Sequence, residues 1–183
     1  MKETKIKILA ISGSLRSNSS NHKIINTIAT MMPGNIDFTI YQELGNLPHF
    51  NDEDRYEIVH EWRRLIKDAD GVLICTPEYA FGVPGSLKNA LDWTVSSGDF
   101  YDKPVALITA STGGDKAHAS LLQTLTALTA KMTEGTTLLI PFIRSKFNER
   151  GEVTDLSMLN EIKKLIDNLI QLIESSVENS SGQ

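Results

Sequence analysis

The chain has 183 residues, 40% hydrophobic and 22% charged, which suits one ordinary domain with a packed core and argues against wholesale disorder. Its 18 Lys and Arg against 23 Asp and Glu leave a net charge of −5 and no basic run, which speaks against a nucleic-acid partner. The one cysteine, Cys75, cannot form an internal disulfide, a structural zinc site or an iron–sulfur cluster. It lies in the apolar run Gly71–Cys75 and reads as a buried strand residue rather than a nucleophile. Met1–Lys5 is charged and carries no apolar signal-peptide core, and no apolar stretch nears the roughly 20 residues that span a bilayer. A cytoplasmic protein with no membrane partner is expected.

Short apolar runs alternate with helical periods. Ile6–Ile11 predicts a first strand, ending in Ser12-Gly13-Ser14, and apolar residues at 24, 25, 28, 31 and 32 predict a helix over Asn21–Met32. Phe38–Tyr41 is a second, weaker strand, and residues 42–55 read as a loop. A helix over Tyr56–Lys67 precedes the third strand, Gly71–Cys75. Pro84 then opens a helix to Val95, where its missing N–H costs least. Pro104–Thr109 is the fourth strand, Leu121, Leu125, Leu128 and Met132 share a helical stripe, and Thr136–Ile140 is the fifth strand. A last helix runs from Leu156 to Val177. Residues 1–178 are expected to form one domain, with a polar tail over 179–183.

Five strands alternating with helices call for a parallel sheet covered on both faces. With right-handed crossovers the economical choice is an α/β, flavodoxin-like doubly wound sheet of strand order 2-1-3-4-5. Ligands bind such sheets beyond the carboxyl ends of the strands, so the loops after strands one, three and four are the segments to inspect.

The first loop, Ser12–Asn21, packs five hydroxyls, two amides and the Arg16 guanidinium ahead of a helix, an anion site in outline. It lacks the Gly-Lys-Ser/Thr ending of a Walker loop and the G-x-G-x-x-G pattern. By composition a Ser/Asn-rich turn capped at Ser20 or Asn21 competes equally; the position after strand one favours phosphate. The second loop, Thr76–Gly85, has two aromatics, two glycines and two prolines. Its aromatics either face a planar ring or pack the loop down, and on residues alone the packing is favoured. In the third, Ala110–His118, paired glycines allow close backbone approach to a ligand, or simply a tight turn with Asp115 capping the next helix.

Gly-Ser-Leu-Arg-x-x-Ser-x-Asn at 13–21 resembles the phosphate loop of the NADPH-dependent FMN reductase family. Pro-Glu-Tyr at 77–79, continuing through Pro84-Gly85-Ser86-Leu87-Lys88-Asn89-Ala90-Leu91-Asp92-Trp93, resembles its second signature, and Gly113-Gly114 a looser third. The resemblance implies FMN phosphate contacts from Ser14, Arg16, Ser19 and Asn21. It implies a ring site lined by Pro77, Glu78, Tyr79 and Ala80, with Ser111, Gly113 and Gly114 on the facing loop. Where many relatives carry Asn, this chain has Ala80, so a side-chain hydrogen bond is lost while a backbone contact survives. Lys88, Asn89 and Asp92 are assigned to helix packing or a subunit contact.

The resemblance further implies that NADPH or NADH delivers hydride to the flavin and leaves, after which a small electron acceptor (free flavin, quinone, azo compound or similar) enters the same cleft. No amino-acid acid/base pair and no metal is expected. Backbone N–H groups of the 79–82 loop would ease negative charge on the reduced ring. The alternatives are a flavodoxin-like electron carrier and a flavin redox sensor without independent turnover. A homodimer or homotetramer is also implied, with loop 79–83 and Trp93 either at its seam or, for Trp93, in the core. His118 is expected to be an exposed first-turn residue, and Asp52-Glu53-Asp54 a solvated loop.

Overall fold

Five strands pair in parallel in the order β2-β1-β3-β4-β5, the predicted arrangement. The structure is a computed structural model that describes residues 5–51, 53 and 55–181. The charged N-terminal residues 1–4 and the acidic-loop residues Asp52 and Asp54 lie outside it. The strands are β1 (Ile6–Ser12), β2 (Ile36–Tyr41), β3 (Gly71–Thr76), β4 (Val105–Ala110) and β5 (Thr137–Ile140). The helices are α1 (Ser20–Met31), α2 (Glu57–Asp68), α3 (Gly85–Asp92), α4 (Asp115–Ala127) and α5 (Leu156–Ser181).

The central strands are apolar on both sides, and successive residues feed two separate cores. Leu9, Ile11, Val72, Ile74, Val105 and Leu107 pack against α2, α3 and α4. Ile8, Ala10, Leu73, Cys75, Ala106 and Ile108 pack against α1 and α5. This period of two, buried on both faces, is why β3 and β4 read as continuous apolar runs rather than alternating ones. Trp62 of α2 is fully buried and donates its indole N–H to the Ala90 carbonyl at 2.9 Å.

Element ends differ from the sequence expectation where side chains compete with the helix. The predicted helix over 84–95 stops at Asp92. Thr94 is buried, its hydroxyl bonded at 2.7 Å to the Leu91 carbonyl, and the following Val-Ser-Ser-Gly favours turns. α4 ends at Ala127, short of Met132, because Thr129 takes a positive φ of 60°. α5 instead runs through Ser181, so the predicted polar tail begins inside it. Gly182 and Gln183 lie outside the described residues. Among the described residues no helix is long and apolar enough to cross a membrane.

Candidate flavin-binding cleft

β1 delivers its loop against β3 with almost no clearance. Gly13 donates its N–H to the Cys75 carbonyl at 2.9 Å, and a Cβ there would stand 2.1 Å from the Thr76 hydroxyl. Only glycine fits, and it fixes where the next eight residues go. Ser14 is buried behind the loop, where its hydroxyl accepts the Arg16 N–H at 3.3 Å and lies 3.2 Å from the Tyr79 hydroxyl. Ser19 is the N-cap of α1 and accepts the Asn21 N–H at 3.2 Å.

Asn21 has both ends of its amide engaged. Its Nδ2 donates to the Ala110 carbonyl and its Oδ1 accepts from the Cys75 thiol, each at 3.3 Å. It ties the first turn of α1 to β3 and β4, so its buried side chain acts as a clamp. Burial also drives the Cys75 thiol well above its ordinary pKa, which leaves it an inert part of that clamp.

The loop after β3 is largely consumed by its own bonds. The Glu78 carboxylate accepts the Gly114 N–H at 3.3 Å and the Ala117 N–H at 2.9 Å. Those groups belong to the first turn of α4, where a negative charge meets the positive end of the helix. Glu78 therefore locks the second loop to the third, and Gly113 and Gly114 pack beside it. Gly114, at φ 110°, is the left-handed residue from which α4 starts.

Tyr79 and Gly82 close a two-residue turn with paired backbone bonds of 3.0 and 2.9 Å. Its two central residues, Ala80 and Phe81, have φ of 48° and 59°. That is the type I′ pattern, which favours Asn or Gly at these places. Position 80 thus demands a left-handed backbone, a second reason for Asn there beyond a side-chain bond. The N–H groups of Tyr79 and Gly82 are spent inside the turn. Those of Ala80 and Phe81 find no acceptor among the described residues.

Trp93 is core, not seam: it is 2% exposed, its indole N–H bonds the Pro48 carbonyl at 2.8 Å, and Phe50 and Tyr56 meet it edge-on. Asn89 donates to the same carbonyl and accepts the Phe50 N–H at 2.8 Å, while Lys88 and Asp92 form an i,i+4 ion pair. The second signature therefore builds scaffold along α3. His118 is half-buried rather than exposed, with Nδ1 2.9 Å from the Thr109 hydroxyl and its pKa lowered by burial.

Across the carboxyl ends of β1, β3 and β4 these loops enclose an open cleft of about 610 Å³. Of the predicted site residues, Arg16, Ser19, Asn21, Pro77, Glu78, Tyr79 and Ser111 line it. Ser14 and Gly114 are buried behind the lining, and Gly113 and Ala80 are exposed outside it, Ala80 at the turn tip. The segment after β5 forms a further wall with Ile143, Arg144, Phe147 and Asn148, and α1 adds Lys23. This wall lies outside the three loops that the sequence pattern marks. The signal was present: in a 2-1-3-4-5 sheet β5 borders β4, and Phe142-Ile-Arg-Ser-Lys-Phe147 follows it after Pro141.

The family model for NADPH-dependent FMN reductases matches residues 6–144. The chain belongs to that family. It is 30% identical over 187 residues to an NAD(P)H-dependent FMN reductase of Pseudomonas aeruginosa, covering 97% of this chain and 98% of that one. It is 30% identical over 169 residues to a quinone reductase of Escherichia coli, covering 86% and 90%. Among solved structures it resembles the flavoenzyme NAD(P)H:(acceptor) oxidoreductase FerB of Paracoccus denitrificans. The TM-score is 0.75 at 28% identity, covering 93% of this chain and 98% of that one.

The residues present fit an FMN group. Among the described residues the N–H groups of Ser17, Asn18 and Ser20 find no acceptor, and the exposed Arg16 guanidinium has no carboxylate partner. Free N–H donors at a helix start beside an unpaired cation are what a phosphate monoester requires. Glu78 is the one acidic residue in the lining, and its charge is already met by the start of α4.

Proposed function

We propose that this chain carries electrons from NADPH or NADH through bound FMN to a small acceptor such as a quinone, an azo compound or free flavin. The observation that carries the reading is the cleft itself. It has an open anion cradle at the start of α1, joined through the Ser14–Tyr79 contact to a braced turn at the carboxyl ends of the strands. When bound, FMN supplies the hydride chemistry, accepting from the nicotinamide and passing electrons onward.

The protein's part is binding and orientation. Arg16 and the N–H groups of Ser17, Asn18 and Ser20 hold the phosphate, with Ser19 shaping the helix start that presents them. Pro77, Tyr79 and the turn at Ala80 border the ring, and Glu78, through the Gly114 and Ala117 N–H groups, fixes that border to the loop that carries Ser111 and Gly113. The N–H groups of Ala80 and Phe81 donate toward negative charge on the ring's polar edge. No side chain is assigned a proton-transfer role.

A homodimer or homotetramer suits the exposed apolar residues near the cleft: Phe81 at the turn tip is 81% exposed and Leu15 57%. A cytoplasmic address suits a chain with one thiol and no use for a disulfide. Residues 1–178 are read as one flavin-binding unit.

The test is the visible spectrum of the purified protein with FMN, before and after anaerobic NADPH. Flavin bands that bleach and return with a quinone or air are the expected result. Bound flavin that NADPH cannot bleach would leave a carrier or sensor. A protein that takes up no FMN would have kept the fold and lost the function.

A further inference from the structure

The segment after β5 is a rigid ledge carrying one cation that the protein itself does not use. Phe142 donates its N–H to the Thr112 carbonyl at 3.1 Å and Ile143 to Ser111 at 3.0 Å, so the ledge is stitched to the loop after β4. Ile143 is buried, Lys146 is paired with Asp155, and Thr154 donates to the Lys146 carbonyl at 3.0 Å. Phe147 pairs with Val153 and lies under the Lys23 ammonium, 5.6 Å from the ring centroid. The ledge is thus held at one end by the loop beyond β4 and at the other by the second turn of α1. Arg144 sits between these anchors on a single turn of 3-10 helix, Ile143–Lys146.

Arg144 is an exposed residue of the cleft lining, and its guanidinium has no carboxylate or carbonyl partner among the described residues. Three arginines outside the cleft are engaged, while Arg150, on the exposed turn beyond the ledge, has no partner among the described residues. Arg55 pairs with Glu53, Arg64 with Glu61 and Asp68, and Arg63 donates Nε to the Trp93 carbonyl at 2.9 Å. Within the cleft, Arg16 and Arg144 are the two guanidinium groups, carried by different loops, both unpaired. Asn21 at the start of α1 bonds Ala110, and the next two residues, Ser111 and Thr112, bond the ledge. The ledge therefore stands next to the helix start that Arg16 serves.

We propose that Arg144 is a second phosphate ligand, closing the anion cradle from the β5 side so that the terminal phosphate of FMN is held between two guanidiniums. This rests on the reading of the cleft as an FMN site. A phosphate monoester carries close to two negative charges near neutral pH, its second pKa being about 6. Two forked cations suit that dianion better than the single charge of a phosphodiester. Arg144 is on this account a selectivity residue, favouring FMN over riboflavin and over FAD, and a retention residue that slows FMN release.

The experiment is flavin binding by fluorescence quenching with FMN, FAD and riboflavin, for the wild type, Arg144→Gln and Arg144→Lys. The thermal midpoint of each flavin-free protein is recorded alongside. The expected result for Arg144→Gln is a loss of roughly tenfold or more in FMN affinity, with riboflavin affinity and the flavin-free midpoint unchanged. Arg144→Lys should recover part of the loss, because the charge remains and the fork does not. Equal losses for FMN and riboflavin would overturn the proposal, making the ledge a general support. So would unchanged FMN affinity, including the case in which only the KM for NADPH rises and the phosphate met is the donor's. Failure of wild-type protein to bind FMN would instead overturn the reading on which the proposal rests.

Discussion

The loop after β1, rich in hydroxyls and amides, and the loop after β3, which carries two aromatics, both belong to motifs, and the structure uses them in opposite ways. In Ser12–Asn21 the chain leaves donors open: N–H groups at 17, 18 and 20 and the Arg16 guanidinium have no protein partner among the described residues. In Pro77–Gly82 it spends the Glu78 carboxylate and the Tyr79 and Gly82 N–H groups on the frame and leaves the Ala80 and Phe81 N–H groups open among the described residues. Glu78 caps α4, and Tyr79 and Gly82 close on each other. A motif residue thus either meets the ligand or builds the frame that meets it, and residue type alone does not say which.

Arg16→Ala tests the open loop and should give the largest effect. FMN affinity should fall by roughly 1.5–3 kcal/mol, the loss of a charge-assisted phosphate bond. Flavin-free stability should not move, since the exposed guanidinium supports nothing else. Titration with FMN and a melt of the flavin-free protein give the two numbers. A lowered melt with unchanged FMN affinity would reverse the contrast between the loops.

Glu78→Ala should do the opposite. The Gly114 and Ala117 N–H groups are buried with their residues and would lose their acceptor, costing about 2 kcal/mol of flavin-free stability. For a chain of this size that corresponds to a midpoint about 4–8 °C lower. An unchanged flavin-free midpoint would show that Glu78 works on the ligand and not on the frame.

A smaller change tests the turn between them. Ala80 sits at φ 48°, where a Cβ crowds the carbonyl. Ala80→Gly relieves that and gives back part of the gain as unfolded-chain entropy, for a net stabilisation of about 0.5–1 kcal/mol. Ala80→Asn should stabilise less but in the same direction. Destabilisation in either variant would mean the turn does not hold a left-handed backbone at this position.

The fold was legible because its signal is repeated: five strand-like runs alternating with helices, the central ones buried on both faces, leave few topologies once crossovers are right-handed. The open loop after β1 was legible because Gly13 and the Arg16-to-Asn21 spacing are local. The rest depends on pairings far apart in sequence. Asn21 was expected at the phosphate, yet its amide is taken by Cys75 and Ala110, 54 and 89 positions away. Glu78 was expected at the ring, yet its carboxylate sits on a helix start 36 and 39 positions on. Trp93 was open between seam and core, and the Pro48 carbonyl, 45 positions back, decides it. Arg144 was missed for another reason: a run of aromatic and basic residues after an edge strand matters only once the strand order places that edge beside the cleft.

The smallest expected effect concerns the third loop, which the open-against-spent contrast leaves in between. His118, in the first turn of α4, is half-buried, with Nδ1 2.9 Å from Thr109, and burial holds its pKa below the ordinary 6.5. The unfolded chain therefore binds the proton first as pH falls, and stability must drop with it. The contribution is complete above about 6.5 and is lost as pH falls through that value toward the native pKa. Below the native pKa both states are protonated and the slope ends. Asp115 and Asp155 are held below the carboxylate value of 3.8 by Lys116 and Lys146, so their share is lost in a separate, more acidic window. Chemical denaturation of flavin-free protein at pH 7.5, 6.5 and 5.5 should show a decline that His118→Gln reduces. An identical decline in the variant would mean that the ring is solvated and that the third loop, like the first, keeps its polar groups for something other than the fold.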